Sequence, residues 1–185
     1  MCGRYWIGDE SEEINEIIRQ IQRRDEHVKT SGEIFPGDRV PVLCRSRAGN
    51  IRPFAMEWGW RMADGRRMIN ARSETAGEKI MFRESMRLRR CLLPMSAYFE
   101  WEKRGNEKIK HRIAPEASGV HYLAGLYRFE GEKPLCTVLT REAVPEIAFI
   151  HHRMPVIIER ENIAAWLNGG SIDFTRNLDL IHETA

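Results

Sequence analysis

Between residues 12 and 22, Ile14, Ile17, Ile18 and Ile21 recur with charged and polar residues between them. At 3.6 residues per turn all four fall on one face, so the pattern predicts an amphipathic helix over 12–22. Asp9, with Glu12 three residues later, reads as its capping box. A polar stretch follows to Gly32, and Pro36-Gly37-Asp38 is a turn signal. The pattern then changes. Residues 40–44, 51–58, 91–101, 122–129 and 136–140 are short apolar or aromatic runs separated by Gly, Pro and charge, and they read as strands. Residues 74–88 predict a second helix, 154–158 another strand, and 162–167 a short final helix.

These elements sum to a strand-rich α+β domain: a curved antiparallel sheet or open β-barrel with a few peripheral helices. The 185 residues suit one domain spanning 1–185, with no repeat, low-complexity tract or linker to divide it. Composition is that of a globular chain, 42% hydrophobic and 30% charged, which argues against disorder. No apolar run reaches the about 18–20 residues that cross a bilayer. The start, Met-Cys-Gly-Arg-Tyr-Trp, lacks the apolar core of a signal peptide. A monomer in the cytoplasm is therefore expected.

Charge and cysteine usage narrow the chemistry. Net charge is only +2, yet Arg66-Arg67 and Arg87 with Arg89-Arg90 form basic clusters able to track phosphates or simply to face water. Cys2, Cys44, Cys91 and Cys136 are widely and irregularly spaced, which speaks against a metal knuckle or a disulfide framework. The last three stand among apolar neighbours and are expected to be buried, inert thiols.

Cys2 differs by position. Methionine aminopeptidase removes Met1 before a small residue, which would leave an α-amine and a thiol on adjacent carbons. With ordinary pKa values of about 7.7–8.0 and about 8.5, roughly a quarter of the amine is neutral and a few per cent of the thiol is ionised near neutrality. Such a 1,2-aminothiol condenses with an aldehyde to an imine and then closes through sulfur to a thiazolidine. An internal Cys or Lys cannot do this. Three further segments place polar groups in apolar runs: Asn70 after Met68-Ile69, Glu100 between Phe99 and Trp101, and His151 after Phe149-Ile150. Buried polar groups need partners or a task. A carboxyl walled by aromatics favours its neutral form more than one in water does, which suits proton transfer. Singly, Asn70 also reads as a loop cap, Glu100 as an arginine partner and His151 as a satisfied core histidine.

Together with Met1-Cys2-Gly3-Arg4, these segments resemble the SOS-response-associated peptidase (SRAP) family, the abasic-site processing proteins. The resemblance runs through Pro36-Gly37, Trp58-Gly59-Trp60, Asn70-Ala71-Arg72-Ser73-Glu74-Thr75, Cys91-Leu92-Leu93-Pro94 and Tyr98-Phe99-Glu100-Trp101. It continues through Ala124-Gly125-Leu126-Tyr127, Leu139-Thr140 and His151-His152-Arg153-Met154-Pro155. What it implies is a single domain that binds single-stranded DNA in a positive cleft and attaches to the ring-opened abasic sugar through Cys2, with Asn70, Glu100 and His151 in the active site. Arg4, Arg72 and Arg153 become DNA contacts, and Trp58 an aromatic surface near the bases. No metal or organic cofactor is implied, and the protein would join the nucleoid when bound to damaged DNA. Two other functions fit the same residues: an N-terminal-nucleophile cysteine peptidase or amidase, and a single-strand-binding module without catalysis. The first lacks any sequence signal for an oxyanion hole.

Overall fold

The computed structural model describes residues 2–24, 26–117, 119–174 and 179–185. The predicted N-terminal helix forms over Glu12–Gln22 with Ile14, Ile17, Ile18 and Ile21 buried. Full burial of each isoleucine contributes about 1.5–3 kcal/mol. Its cap is Ser11 rather than Asp9: Ser11 is extended, and its hydroxyl accepts the Ile14 N–H at 3.4 Å. Among the described residues no helix is long and apolar enough to cross a membrane.

Five strands close on themselves. Arg39–Arg45 pairs with Ile51–Trp58 on one side and Arg90–Met95 on the other, and His121–Glu130 bridges Arg90–Met95 to Lys133–Glu142. The ring is completed by a parallel pair, Leu135 opposite Glu57 and Cys136 opposite Trp58. The strand-rich α+β class holds, and the open barrel expected from the sequence is a closed one. Closure leaves no free edge inside the ring. Gly59, at φ 110°, turns the chain out of this seam while its N–H donates to Cys136 O at 2.8 Å. Cys44, Cys91 and Cys136 are buried, as expected.

A second sheet runs in the order Leu180–Thr184, Glu107–Pro115, Ala97–Arg104, Tyr5–Ile7, Gly32–Ile34. The run 91–101 is therefore two strands, not one. They break at Ser96, where the chain passes from barrel to second sheet. Ser96 N–H donates to Trp6 O at 2.9 Å, and its hydroxyl accepts the Gly8 N–H at 3.0 Å. Apolar periodicity cannot mark such a break, because the run is buried on both sides of it. Residues 74–88 likewise split into Ser73–Ala76 and Ile80–Leu88, and 154–158 into Arg153–Pro155 and Ile157–Ile158. The last helix is Ile163–Leu167.

Gly125 shows how tightly the barrel closes. A methyl group there would lie 2.7 Å from Leu93 Cδ1, 2.9 Å from Cys91 Sγ and 3.0 Å from the Thr137 carbonyl oxygen. Gly125→Ala is accordingly expected to lower stability by about 1–3 kcal/mol through overpacking, seen as a lower urea midpoint with the slope unchanged.

Candidate active site

The second sheet carries the N-terminal segment into the protein. Tyr5 pairs with Ile34 on one side and Tyr98 on the other, and Phe99 N–H donates to Arg4 O at 2.9 Å. Residues 2–4 thus run beside 99–101. Cys2 is fully buried, its thiol directed at Arg4 O 3.9 Å away. Asn70 comes from the barrel side, where it stands opposite Val138. Its Nδ2 donates to Cys2 O at 2.9 Å, while its buried Oδ1 has no partner among the described residues. Glu100, also buried, lies close enough for its charge to act on the Cys2 thiol. Burial above all, and then the Glu100 carboxylate, pushes that thiol well up from its ordinary range. The small thiolate fraction expected from free cysteine therefore does not hold for the folded chain: the sulfur is kept as S–H. Met1, whose removal the 1,2-aminothiol chemistry needs, lies outside the described residues.

Three of the four chemical positions, Cys2, Asn70 and Glu100, are brought together in this way. His151 lies in the segment after the Lys133–Glu142 strand and contacts Arg153 and His152. Arg153 N–H donates to its Nδ1 at 2.9 Å, and Arg153 O lies 3.0 Å from the same nitrogen. Because a peptide N–H can only donate, Nδ1 of the neutral ring accepts and the proton is assigned to Nε2. The ring stacks on His152 at 4.4 Å.

An open cleft of about 730 Å³ lies between 72–75, 141–145 and 172–174. Its lining is mixed rather than uniformly positive: Arg72, Arg141 and Arg153 face Glu74, Glu142 and Asp173. Arg72 is exposed, two residues from Asn70. Arg4 sits nearer Cys2, half-buried, with its Nη1 3.1 Å from Glu33 and its guanidinium over the Phe35 and Trp101 rings at 4.2 and 5.2 Å.

Two of the expected DNA contacts are engaged within the protein's own packing. Trp58 is fully buried, donating from Nε1 to Ile69 O at 3.1 Å and meeting Tyr5 edge-on at 5.3 Å. The barrel seam covers both faces of its ring, leaving none for a base. Arg153 is bound to both Glu74 oxygens, at 2.7 and 2.9 Å, and to Thr140 O at 2.6 Å. The basic clusters are also largely engaged. Arg67 pairs with Glu57, Arg66 with Asp64 and Arg89 with Glu84. Arg90 donates to Gly170 O at 2.7 Å and packs on Trp166. What the sequence reading missed is Tyr98. Its buried hydroxyl has no partner among the described residues, and burial, then Cys2 and Glu100, hold it far above its ordinary range. The available signal was its place two residues before Glu100, on the same face of a strand.

Comparison with known proteins bears on the family and the fold. The model of the family described as SOS response associated peptidase (SRAP) matches residues 1–185. Abasic site processing protein YoqW of Bacillus subtilis is 33% identical over 187 residues, covering 94% of this chain and 83% of the relative. Abasic site processing protein YoaM of the same organism is 31% identical over 200 residues, covering 99% and 87%. A crystal structure of a protein from Bacteroides thetaiotaomicron superposes with a TM-score of 0.80 at 21% identity, over 99% of this chain and 91% of that one, and so shares the fold.

Two of the cleft arginines should separate cleanly. Arg153→Ala strips a half-exposed carboxylate and a buried carbonyl of their partner, and is expected to cost about 1.5–3 kcal/mol in urea unfolding. Arg72→Ala, exposed and holding no ion pair among the described residues, should stay within about 0.5 kcal/mol of wild type.

Proposed function

This chain belongs to the SOS response associated peptidase family, and from that premise we propose that it binds single-stranded DNA and traps abasic sites as a thiazolidine on Cys2. The observation that carries the proposal is the convergence of Cys2, Asn70 and Glu100, with a buried Asn70 oxygen left open for a donor. A sugar hydroxyl is such a donor. The names of the relatives, abasic site processing proteins, point to the same lesion.

The abasic sugar is mostly a closed hemiacetal, and its aldehyde appears only on ring opening. That step takes a proton off the 1′-hydroxyl and places one on the ring oxygen. Imidazole chemistry at His151 suits both transfers near neutral pH. After Met1 is removed, the neutral Cys2 amine attacks C1′, and the carbinolamine loses water to give the imine. Sulfur then adds to the same carbon. The C–S bond forms, the thiol proton goes to Glu100, and the imine nitrogen takes up a proton to become the ring amine. A thiol this deeply buried needs a base beside it, which is the place Glu100 holds. Asn70, fixed to Cys2 O, holds the attacking residue and the sugar in register. Arg4 and Arg72 stand where flanking phosphates can be gripped, and such contacts position the strand without reading its sequence. In this reading the protein acts as a monomer in the cytoplasm.

The direct test is incubation with a uracil-containing single strand treated with uracil glycosylase, followed by denaturation. Wild type should give a heat-stable shift, and Cys2→Ala none. Cys2→Ser should give at most a labile species. An uncleaved N-terminal tag should be as damaging as Cys2→Ala, because it removes the α-amine. A full-strength, heat-stable adduct from tagged protein would refute the aminothiol route, and peptide cleavage without a shift would favour a hydrolase.

Reversal isolates Glu100. Opening the thiazolidine requires sulfur to leave as a thiol, so a proton must be delivered where it sits. Glu100→Gln is expected to form adduct more slowly than wild type and to release it several-fold more slowly still. The readout is a chase: adduct preformed on a labelled strand is challenged with excess unlabelled abasic strand. Exchange at the wild-type rate would leave Glu100 only a structural role.

A further inference from the structure

Glu100 has a neighbour that the scheme above does not use. In the pairing of Glu107–Pro115 with Ala97–Arg104, the residue directly opposite Glu100 is His111. Opposed residues of an antiparallel pair share a face, with Cβ atoms about 4.5–5.5 Å apart. Glu102, two residues along, shares that face as well. His111 Nε2 lies 3.0 Å from Glu102 Oε2, and Arg104 in turn holds both Glu102 oxygens at 3.0 Å. Arg104, with His111 adding to it, keeps the Glu102 carboxyl below its ordinary range. His111 is only 5% exposed. The rings of Phe149 and His182 cover it at 6.0 and 5.6 Å, and Phe149 stands two residues before His151. The buried Nδ1 of His111 has no hydrogen-bond partner among the described residues. An imidazole spends one nitrogen on an anion here and leaves the other dry, which is costly unless a proton or a donor visits it.

We propose that His111 is a positioning residue for Glu100, its Glu102-bound imidazole setting how readily the Glu100 carboxyl gives up and recovers its proton. This rests on the role assigned to Glu100 above. An imidazolium opposite Glu100 favours the carboxylate, the form that takes the thiol proton as the thiazolidine closes. Once His111 is neutral, with Nε2–H donating to Glu102, that positive charge is gone, which favours the acid form that ring opening needs. The groups facing the pair are Glu102, with Arg104 behind it, on the same strand, and His182 on Leu180–Thr184. The Cys2 thiol and the Tyr98 hydroxyl also lie within reach of the Glu100 charge. Lys110 and Arg112 point to the opposite face, toward Glu33 and Glu183.

The test is the pH profile of crosslinking between about pH 5 and about pH 9 for wild type, His111→Gln, Glu100→Gln and the double variant. Glutamine can still donate to Glu102, so the sheet contact is kept. Without an imidazolium, Glu100 loses a cationic neighbour and keeps the Glu102 anion on its face. The rising limb of adduct formation should then move to higher pH by about one unit, with strand exchange persisting to higher pH. In the Glu100→Gln background, His111→Gln should change nothing further. Superimposable profiles for wild type and His111→Gln overturn the proposal. So does an equal displacement in the Glu100→Gln background. Absence of any adduct from wild type would instead sink the thiazolidine reading, and that arm contains no His111 variant. A second measurement needs neither crosslinking nor a His111 substitution. The His111 imidazole is titrated by nitrogen NMR in wild-type and Glu100→Gln protein, and its midpoint should fall when the carboxylate is removed. An unchanged midpoint overturns the proposal.

Discussion

Everything in the candidate site depends on one piece of backbone pairing, the threading of Tyr5–Ile7 between Gly32–Ile34 and Ala97–Arg104. A terminal segment normally frays, because its peptide groups have water as an alternative partner. Here both edges of the strand are used, so the residues just before it inherit a fixed place. That brings Cys2 inside, beside Glu100. The Asn70 amide then ties Cys2 O to the barrel. Two sheets of different origin meet at that bond, and each fixes one side of the site.

Burial has opposite consequences for the groups gathered there. It pushes the Cys2 thiol up and holds the Tyr98 hydroxyl in its neutral form. A thiol kept protonated is safe from adventitious oxidation and reacts only where a base is already in place. Charged groups around the site are correspondingly paired. Arg153 is held by Glu74 and Thr140 O, Arg4 by Glu33, and His111 by Glu102. Such pairs stabilise little in net terms, since desolvation offsets much of the attraction. They do fix orientation, and proton transfer depends on that.

Trp58 and Arg153 show why a motif and its role can separate. Both stand in segments that resemble the family, and both were expected at the DNA surface. The parallel seam of the barrel encloses the Trp58 ring, and Glu74 lies across the guanidinium of Arg153. Arg72, by contrast, is exposed in the cleft.

Local spacing was enough for the Glu12–Gln22 helix, the turn at Pro36-Gly37, the strand-rich class, the singling out of Cys2 by its position, and that of Asn70, Glu100 and His151 as polar groups in apolar runs. Those are properties of a few consecutive residues. Barrel closure, the break at Ser96 and the capture of the Tyr5–Ile7 strand were decided only by tertiary structure. Each depends on which distant backbone groups supply hydrogen bonds, and hydrophobic periodicity carries no record of partners. The same limit hid His111. Its sequence neighbours are charged and polar, which reads as a solvated face, while the residues that matter to it are Glu100 and Glu102 on the adjacent strand and the rings of Phe149 and His182. Position in sequence singled out the residues of this site. Register across strands decided which groups stand beside one another within it.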